Sequence, residues 1–121
     1  MNASTADVQH ARSYYAATAR NQACYPSLEQ DLVADVCVIG GGFTGVNTAI
    51  ELARRGLSVV LLEGRRIGWG ASGRNGGQLI RGIGHDVAGF AKHVGEEGVR
   101  YLERAGIESV ALVGERIRAH G

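Results

Sequence analysis

The sequence predicts an α/β fold built around one strand–helix–strand unit. Three observations carry that reading: an almost continuous apolar run at 35–40 (DVCVIG), an amphipathic helical pattern from about 43 to 55 opened by a glycine-dense turn, and a second apolar, β-branched run at 58–62 (SVVLL). Short unbroken apolar runs suit parallel strands covered on both faces. Strand, helix and strand within 35–63 read as a right-handed crossover unit.

Taken in order, residues 1–33 are polar and Ala-rich, with Tyr14, Tyr15 and Tyr25 as the main large side chains. They hold too few apolar groups for a core and read as an arm lying over a larger body. Within the first strand, Cys37 reads as a small buried hydrophobe. In the helix, Val46, Ala49, Ile50 and Ala53 fall at i, i+3, i+4 and i+7 and form one face. Arg54 and Arg55 suit the negative end of the helix dipole, and Gly56 stands where a left-handed cap residue belongs. The second strand ends at Glu63.

Residues 64–84 form a loop with seven glycines between 68 and 84. From Asp86, a candidate N-cap, the pattern turns helical to residue 120. Val99, Leu102, Ile107, Val110, Val113 and Ile117 mark an apolar stripe there, loosened by Gly95, Gly98 and Gly106. Two strands are fewer than a doubly wound sheet needs. The chain therefore reads as the opening part of a longer one, and an uncovered sheet predicts poor folding of these 121 residues by themselves.

Composition narrows the function classes. Net charge is +1 and the arginines are scattered, so nothing favours nucleic acid or an anionic membrane surface. No stretch approaches the roughly 20 apolar residues of a bilayer span, and the first 30 residues lack the build of a secretory signal. Cys24 and Cys37 give no metal spacing and no disulfide framework, which points to a reducing cytoplasm. His10, His93 and His120 are isolated and imply no metal. Glycine is the outlier, at 19 of 121 residues, and it is clustered.

Residues Gly40-Gly41-Gly42-Phe43-Thr44-Gly45 contain G-x-G-x-x-G. On its own this pattern is a weak signal. Here it leaves a strand, opens a helix, and is followed eighteen residues after Gly45 by an acidic residue ending the next strand. Gly40 lets the chain turn tightly, and Gly42, without a side chain, lets a pyrophosphate approach backbone N–H groups at the helix N-terminus. Gly45 permits close packing of helix on strand, extended by Ala49 and Ala53. Glu63 emerges at the same sheet edge, where its carboxylate accepts from ribose hydroxyls and repels a 2′-phosphate. Arg65 and Arg66 argue the other way on charge, against a reading as solvated surface. The motif binds the ADP half shared by NAD and FAD and does not separate the two.

The next segment, RRIGWGASGRNGGQL at 65–79, bears on that choice. Flexible linkers are Gly/Ser-dominated, whereas this one also holds Trp69, Arg74, Asn75 and Gln78. Successive glycines beside short polar residues wrap an extended ligand with main-chain N–H groups. The loop leaves the sheet where a pyrophosphate would sit, placed to follow a cofactor beyond its ADP half. For Ser72 and Asn75 the competing reading is local turn hydrogen bonding. Trp69 either shields a cofactor or anchors the loop.

The stretch DVCVIGGGFTGVNTAIELARRGLSVVLLE, followed by RRIGWGASGRNGGQ, closely resembles the start of FAD-dependent oxidases of the D-amino-acid oxidase superfamily. Within it the likeness is nearest to gamma-glutamylputrescine oxidase-type amine oxidoreductases, and SYYAATA at 13–19 adds to it. The resemblance covers about residues 13–120 and implies a Rossmann-like FAD-binding βαβ unit at 35–63, a flavin loop at 64–84 and a helical segment at 86–120. Together these form part of an FAD-binding domain spanning 34–121. It further implies that Gly40, Gly42 and the Phe43-Thr44 backbone meet the pyrophosphate, with Gly45 completing the motif, and that Glu63 meets the adenosine ribose. Ala71 and Ser72 would contact the phosphate and ribityl region, and Asn75, Gly77 and Gln78 would lie toward the flavin ring.

The activity so implied is oxidation of a C–N bond in a small amine or amino acid, with oxygen reoxidising the flavin. Catalytic residues and substrate contacts lie beyond the matched positions and are not carried over. The rival readings are an NAD-binding module without flavin and a truncated, non-catalytic product. Ser72 as a nucleophile lacks a His or acidic partner. His85 beside Asp86 reads as a loop histidine next to a helix cap, and Glu96, Glu97 and Glu103 as a solvated helix face.

Overall fold

A computed structural model of the chain describes residues 12–20, 23–82 and 87–120. They fall into two compact units, 1–76 and 77–121. The first contains helix α1 (Tyr14–Thr18), strand β1 (Val36–Ile39), helix α2 (Phe43–Arg54), strand β2 (Val59–Leu62) and a 3-10 turn (Ala71–Gly73). The second contains a 3-10 turn (Val87–Phe90) and the helical stretch α3 (Ala91–His120).

β1 and β2 pair in parallel, Val36 opposite Val59 through Ile39 opposite Leu62. The fold is α/β, with α2 as the connection and packed on both strands. The ladder opens in a side-chain clasp. Asp35 Oδ2 accepts from the Ser58 amide at 2.8 Å and the Ser58 hydroxyl at 2.7 Å, while the Asp35 amide donates to Ser58 Oγ at 2.9 Å. These bonds hold the Asp35 carboxyl below its ordinary value, the Ser58 hydroxyl contributing first and the Ser58 amide second.

α2 stops as its sequence prescribes. Gly56 takes φ 83, its amide donates to the Ala53 carbonyl at 3.0 Å, and the Leu57 amide donates to Leu52 at 3.2 Å. This pair of bonds is the Schellman ending that a left-handed glycine permits. The half-buried face of α2 runs through Gly45, Val46, Ala49 and Ile50 but takes in Leu52 where Ala53 was expected; Ala53 is exposed.

One expectation needs correction on the sheet. Cys37 is exposed rather than buried. α2 lies on the Val38 side of β1, so Cys37 and Ile39 point to the opposite face, where Ile39 is 85% exposed. The 1–33 arm contains α1, which Ser13 caps by accepting the Ala16 amide on its side chain at 3.1 Å.

In the second unit, Gly95 at φ 67 and ψ 177 breaks α3 into two helical pieces. The expected apolar stripe divides: Val99, Leu102 and Val110 are half-buried, while Ile107, Val113 and Ile117 are exposed. The cover is local. Residue Gly82 crosses so close to Gly106 that a Cβ there would lie 2.8 Å from the Gly82 Cα. Asp86, the expected cap, and His85 lie outside the described residues. Among the described residues, no apolar side chain is fully buried and no helix is long and apolar enough to cross a membrane.

Candidate dinucleotide-binding site

The site grows out of the carboxyl end of β1. Gly40 leaves the strand at φ 100, with its amide still donating to the Leu62 carbonyl at 2.7 Å. That left-handed conformation is open to glycine and strained for other residues. α2 starts only three residues later, and Gly45 in its first turn faces the Gly40 carbonyl. A Cβ on Gly45 would overlap that oxygen and touch Val38 Cγ1 at 3.4 Å, so the helix seats on the strand only with glycine there.

Glu63 sits at this same edge. Its Oε2 accepts the Gly41 amide at 2.7 Å and its Oε1 accepts the Arg65 amide at 2.9 Å. Charge-assisted bonds on both oxygens fix the carboxylate's plane. An ionised carboxylate has about four acceptor positions, so roughly two are left for other donors. Gly41 is buried between this carboxylate and Ile67, whose Cδ1 a Cβ at residue 41 would overlap.

The second glycine loop is fastened to the first by two bonds. The Gly68 amide donates to the Gly41 carbonyl at 2.9 Å, and the Phe43 amide donates to Ser72 Oγ at 2.9 Å. Gly42, the N-cap of α2, has no side chain to cap the helix. Ser72 supplies that cap from 29 residues away, its oxygen 3.0 Å from where a Gly42 Cβ would be. Thr44 and Gly45 follow as first-turn positions whose amides have no acceptor within the helix.

The remaining predicted residues are placed as follows. Ala71 is exposed and opens the 3-10 turn that carries Ser72. Asn75 directs Nδ2 to the carbonyls of Ala71 at 3.2 Å and Ser72 at 2.9 Å, so it makes the local turn bonds expected of an asparagine. Ser72, by contrast, is engaged over long range. Gly77 at φ 66 and Gln78 are exposed and belong to the second unit. Trp69 lies under two guanidinium groups, Arg65 at 4.4 Å and Arg74 at 5.3 Å from its ring centroid.

Sequence reasoning missed the packing of Gly41 against Ile67 and the capping role of Ser72. Gly41 occupies a variable position of the motif, which carries no signal. The partner of Ser72 is distant in the chain, which spacing does not reveal.

A backbone turn without side chains, a helix N-terminus and a carboxylate at one sheet edge fit the ADP half of a dinucleotide. The family model described as FAD dependent oxidoreductase matches residues 35–121. The chain belongs to this FAD-dependent oxidoreductase family. Its cofactor is FAD.

Among its relatives, gamma-glutamylputrescine oxidoreductase of Escherichia coli K12 is 43% identical over 112 residues, covering 93% of this chain and 26% of the relative. A probable oxidoreductase, OrdL, of Haemophilus influenzae gives the same identity and coverage. A probable oxidoreductase of the same name from Rhizobium meliloti is 47% identical over 70 residues, 58% of this chain and 16% of that relative. The chain thus spans about a quarter of the length of the first two relatives. No solved structure matches it.

Proposed function

We propose that this chain is the FAD-binding portion of an oxidoreductase that oxidises the C–N bond of an amine or amino acid, with a gamma-glutamylputrescine-like substrate. The binding role rests on one observation: the Glu63 carboxylate and the N-terminal amides of α2 meet at one sheet edge, joined through Gly41. The substrate class rests on 43% identity, over 93% of the chain, to a relative named for gamma-glutamylputrescine.

In this reading, Gly40, Gly42 and the Phe43-Thr44 backbone receive the pyrophosphate at the positive end of the α2 dipole. Gly45 keeps the helix seated, and Glu63 offers its remaining acceptor positions to the adenosine ribose. Ala71 and Ser72 line the phosphate and ribityl side, and Asn75 extends that surface toward the flavin ring. Bound FAD supplies the two-electron acceptor for C–N oxidation, with oxygen as the final acceptor. Cys24 and Cys37 are both thiols outside any disulfide, which suits a reducing cytoplasm.

The test is titration of the flavin-stripped full-length enzyme with FAD, followed by flavin fluorescence and absorbance. The expected result is binding that Glu63→Ala weakens about tenfold or more, because the Gly41 amide loses its acceptor together with the ribose contact. Binding of NAD in preference to FAD would overturn the reading. Oxidation of gamma-glutamylputrescine against other primary amines, followed by peroxide release from the flavin-loaded enzyme, tests the substrate class.

A further inference from the structure

The loop at 64–76 contains a second turn built like the first. Gly68-Trp69-Gly70-Ala71-Ser72-Gly73 reads G-x-G-x-x-G, as do residues 40–45, and the likeness extends to the backbone. The first glycine is left-handed in both, at φ 100 in Gly40 and φ 74 in Gly68. Its amide donates to a carbonyl of another segment, Leu62 at 2.7 Å for Gly40 and Gly41 at 2.9 Å for Gly68. The third glycine is extended and starts a helical piece at the next residue: Gly42 at φ −83 opens α2, and Gly70 at φ −78 opens the 3-10 turn. The last faces the carbonyl of the first so closely that a Cβ on Gly45 or on Gly73 would overlap that oxygen.

The two turns differ in what the last glycine seats. Gly45 seats a long helix, whereas the 3-10 turn ends at Gly73 itself. What Gly73 seats is the peptide just before it. Ser72 precedes it, and Ser72 Oγ accepts the Phe43 amide at 2.9 Å, the cap that Gly42 has no side chain to give. Asn75 Nδ2 holds the Ser72 carbonyl at 2.9 Å. The contacts close a ring: Gly41 receives the Gly68 amide, Gly68 seats Gly73, and Ser72 returns to Phe43 in the same motif as Gly41. A methyl on Gly73 opens that ring. Relieving its overlap parts the two peptides by on the order of 1 Å, which takes the 2.9 Å bond to Ser72 beyond hydrogen-bond range.

We propose that Gly73 is a positioning residue for the dinucleotide site. Seated on the Gly68 carbonyl, it acts through Ser72, whose hydroxyl it fixes on the Phe43 amide. It thereby holds the first turn of α2 in the form that presents its remaining amides to the pyrophosphate. The proposal rests on the FAD-binding role given above.

The test is a double-mutant cycle in the flavin-stripped full-length enzyme, read by FAD titration and by hydrogen exchange at the Phe43 amide. Ser72→Ala and Gly73→Ala are each expected to weaken FAD binding about fivefold, the usual effect of losing one helix cap, and to speed exchange at Phe43 alike. Because both act on one bond, adding Gly73→Ala to Ser72→Ala should change the FAD affinity by less than about twofold. Gly70→Ala, in open space, should bind FAD as the wild type does.

Unchanged exchange at Phe43 in Gly73→Ala, a further loss of about fivefold in the double variant, or an equal loss in Gly70→Ala would each overturn the proposal while FAD binding by the wild type stood. Should Gly73→Ala fail to fold, Gly68→Ala runs the same cycle. A side chain at φ 74 strains the seat without meeting an atom closer than 3.8 Å, and its effect should likewise vanish in the Ser72→Ala background. Additive losses there would overturn the proposal. A wild type that fails to bind FAD would overturn the site itself, while exchange at Phe43 would still decide whether Gly73 positions Ser72.

Discussion

The two glycine-rich stretches of the first unit use the same residue for different ends. At 40–45 glycine is demanded by contact: a Cβ on Gly45 would overlap the Gly40 carbonyl, and one on Gly41 would overlap Ile67. At 64–76 Gly64 and Gly70 have open space where a Cβ would go, while a Cβ on Gly73 would overlap the Gly68 carbonyl. That stretch is also held by polar bonds, from Gly68 to Gly41 and from Phe43 to Ser72, and by the guanidinium groups on Trp69. The first is a steric fit, and the second joins one such fit, at Gly73, to a set of polar tethers. Steric fits tolerate substitution poorly and locally, while tethers fail one bond at a time.

The sharpest way to break that contrast is a matched pair of alanines. Gly45→Ala gains up to about 1 kcal/mol of helix propensity but forces its methyl onto a backbone oxygen that cannot move alone. Overpacking of this kind costs roughly 1–3 kcal/mol and the helix must lift from the strand, so a net loss of about 2 kcal/mol in urea unfolding is expected. Gly70→Ala, placed in open space at φ −78, should stay within about 0.5 kcal/mol of wild type. Equal losses at the two positions would abolish the distinction.

A smaller effect belongs to the tether. Ser72→Ala removes the hydroxyl that caps α2 and is expected to cost about 1 kcal/mol, with faster hydrogen exchange at the Phe43 amide. Ser72→Thr, which keeps the oxygen, should recover most of it. Exchange at Phe43 that ignored both changes would remove Ser72 from the capping role.

The smallest effect lies outside both stretches, at the Asp35–Ser58 clasp. Because the folded Asp35 carboxyl titrates below its ordinary value of 3.8, its contribution is present above about pH 4 and is lost as pH falls through the lowered value. The urea midpoint should fall in acid, and Asp35→Asn should flatten the part of that fall due to this group.

Legibility in the sequence followed the same division. The strand–helix–strand order, the Schellman ending at Gly56 and the placement of Glu63 beside the motif were readable, because each depends on residues close in the chain or on a fixed periodicity. The Ser72 cap and the Asp35–Ser58 clasp join residues 29 and 23 apart, and no spacing rule announces them. Asn75 was readable as chemistry but ambiguous as role, since an asparagine serves its own turn and a ligand equally well. Burial was misread for a physical reason. An apolar run states that a strand can be covered on both faces, not that both covers are present, and so Cys37 and half of the α3 stripe are exposed among the described residues.

That exposed strand face carries its own gauge. Cys37 presents its thiol beside Ile39 on the side of β1 away from α2. A maleimide or a bulky aromatic disulfide would therefore alkylate or exchange at this position at a rate close to that of a free thiol. Anything that comes to rest on the face, whether further sheet or another polypeptide, would slow that reaction in proportion to the time it stays, turning a strand residue into a clock for coverage.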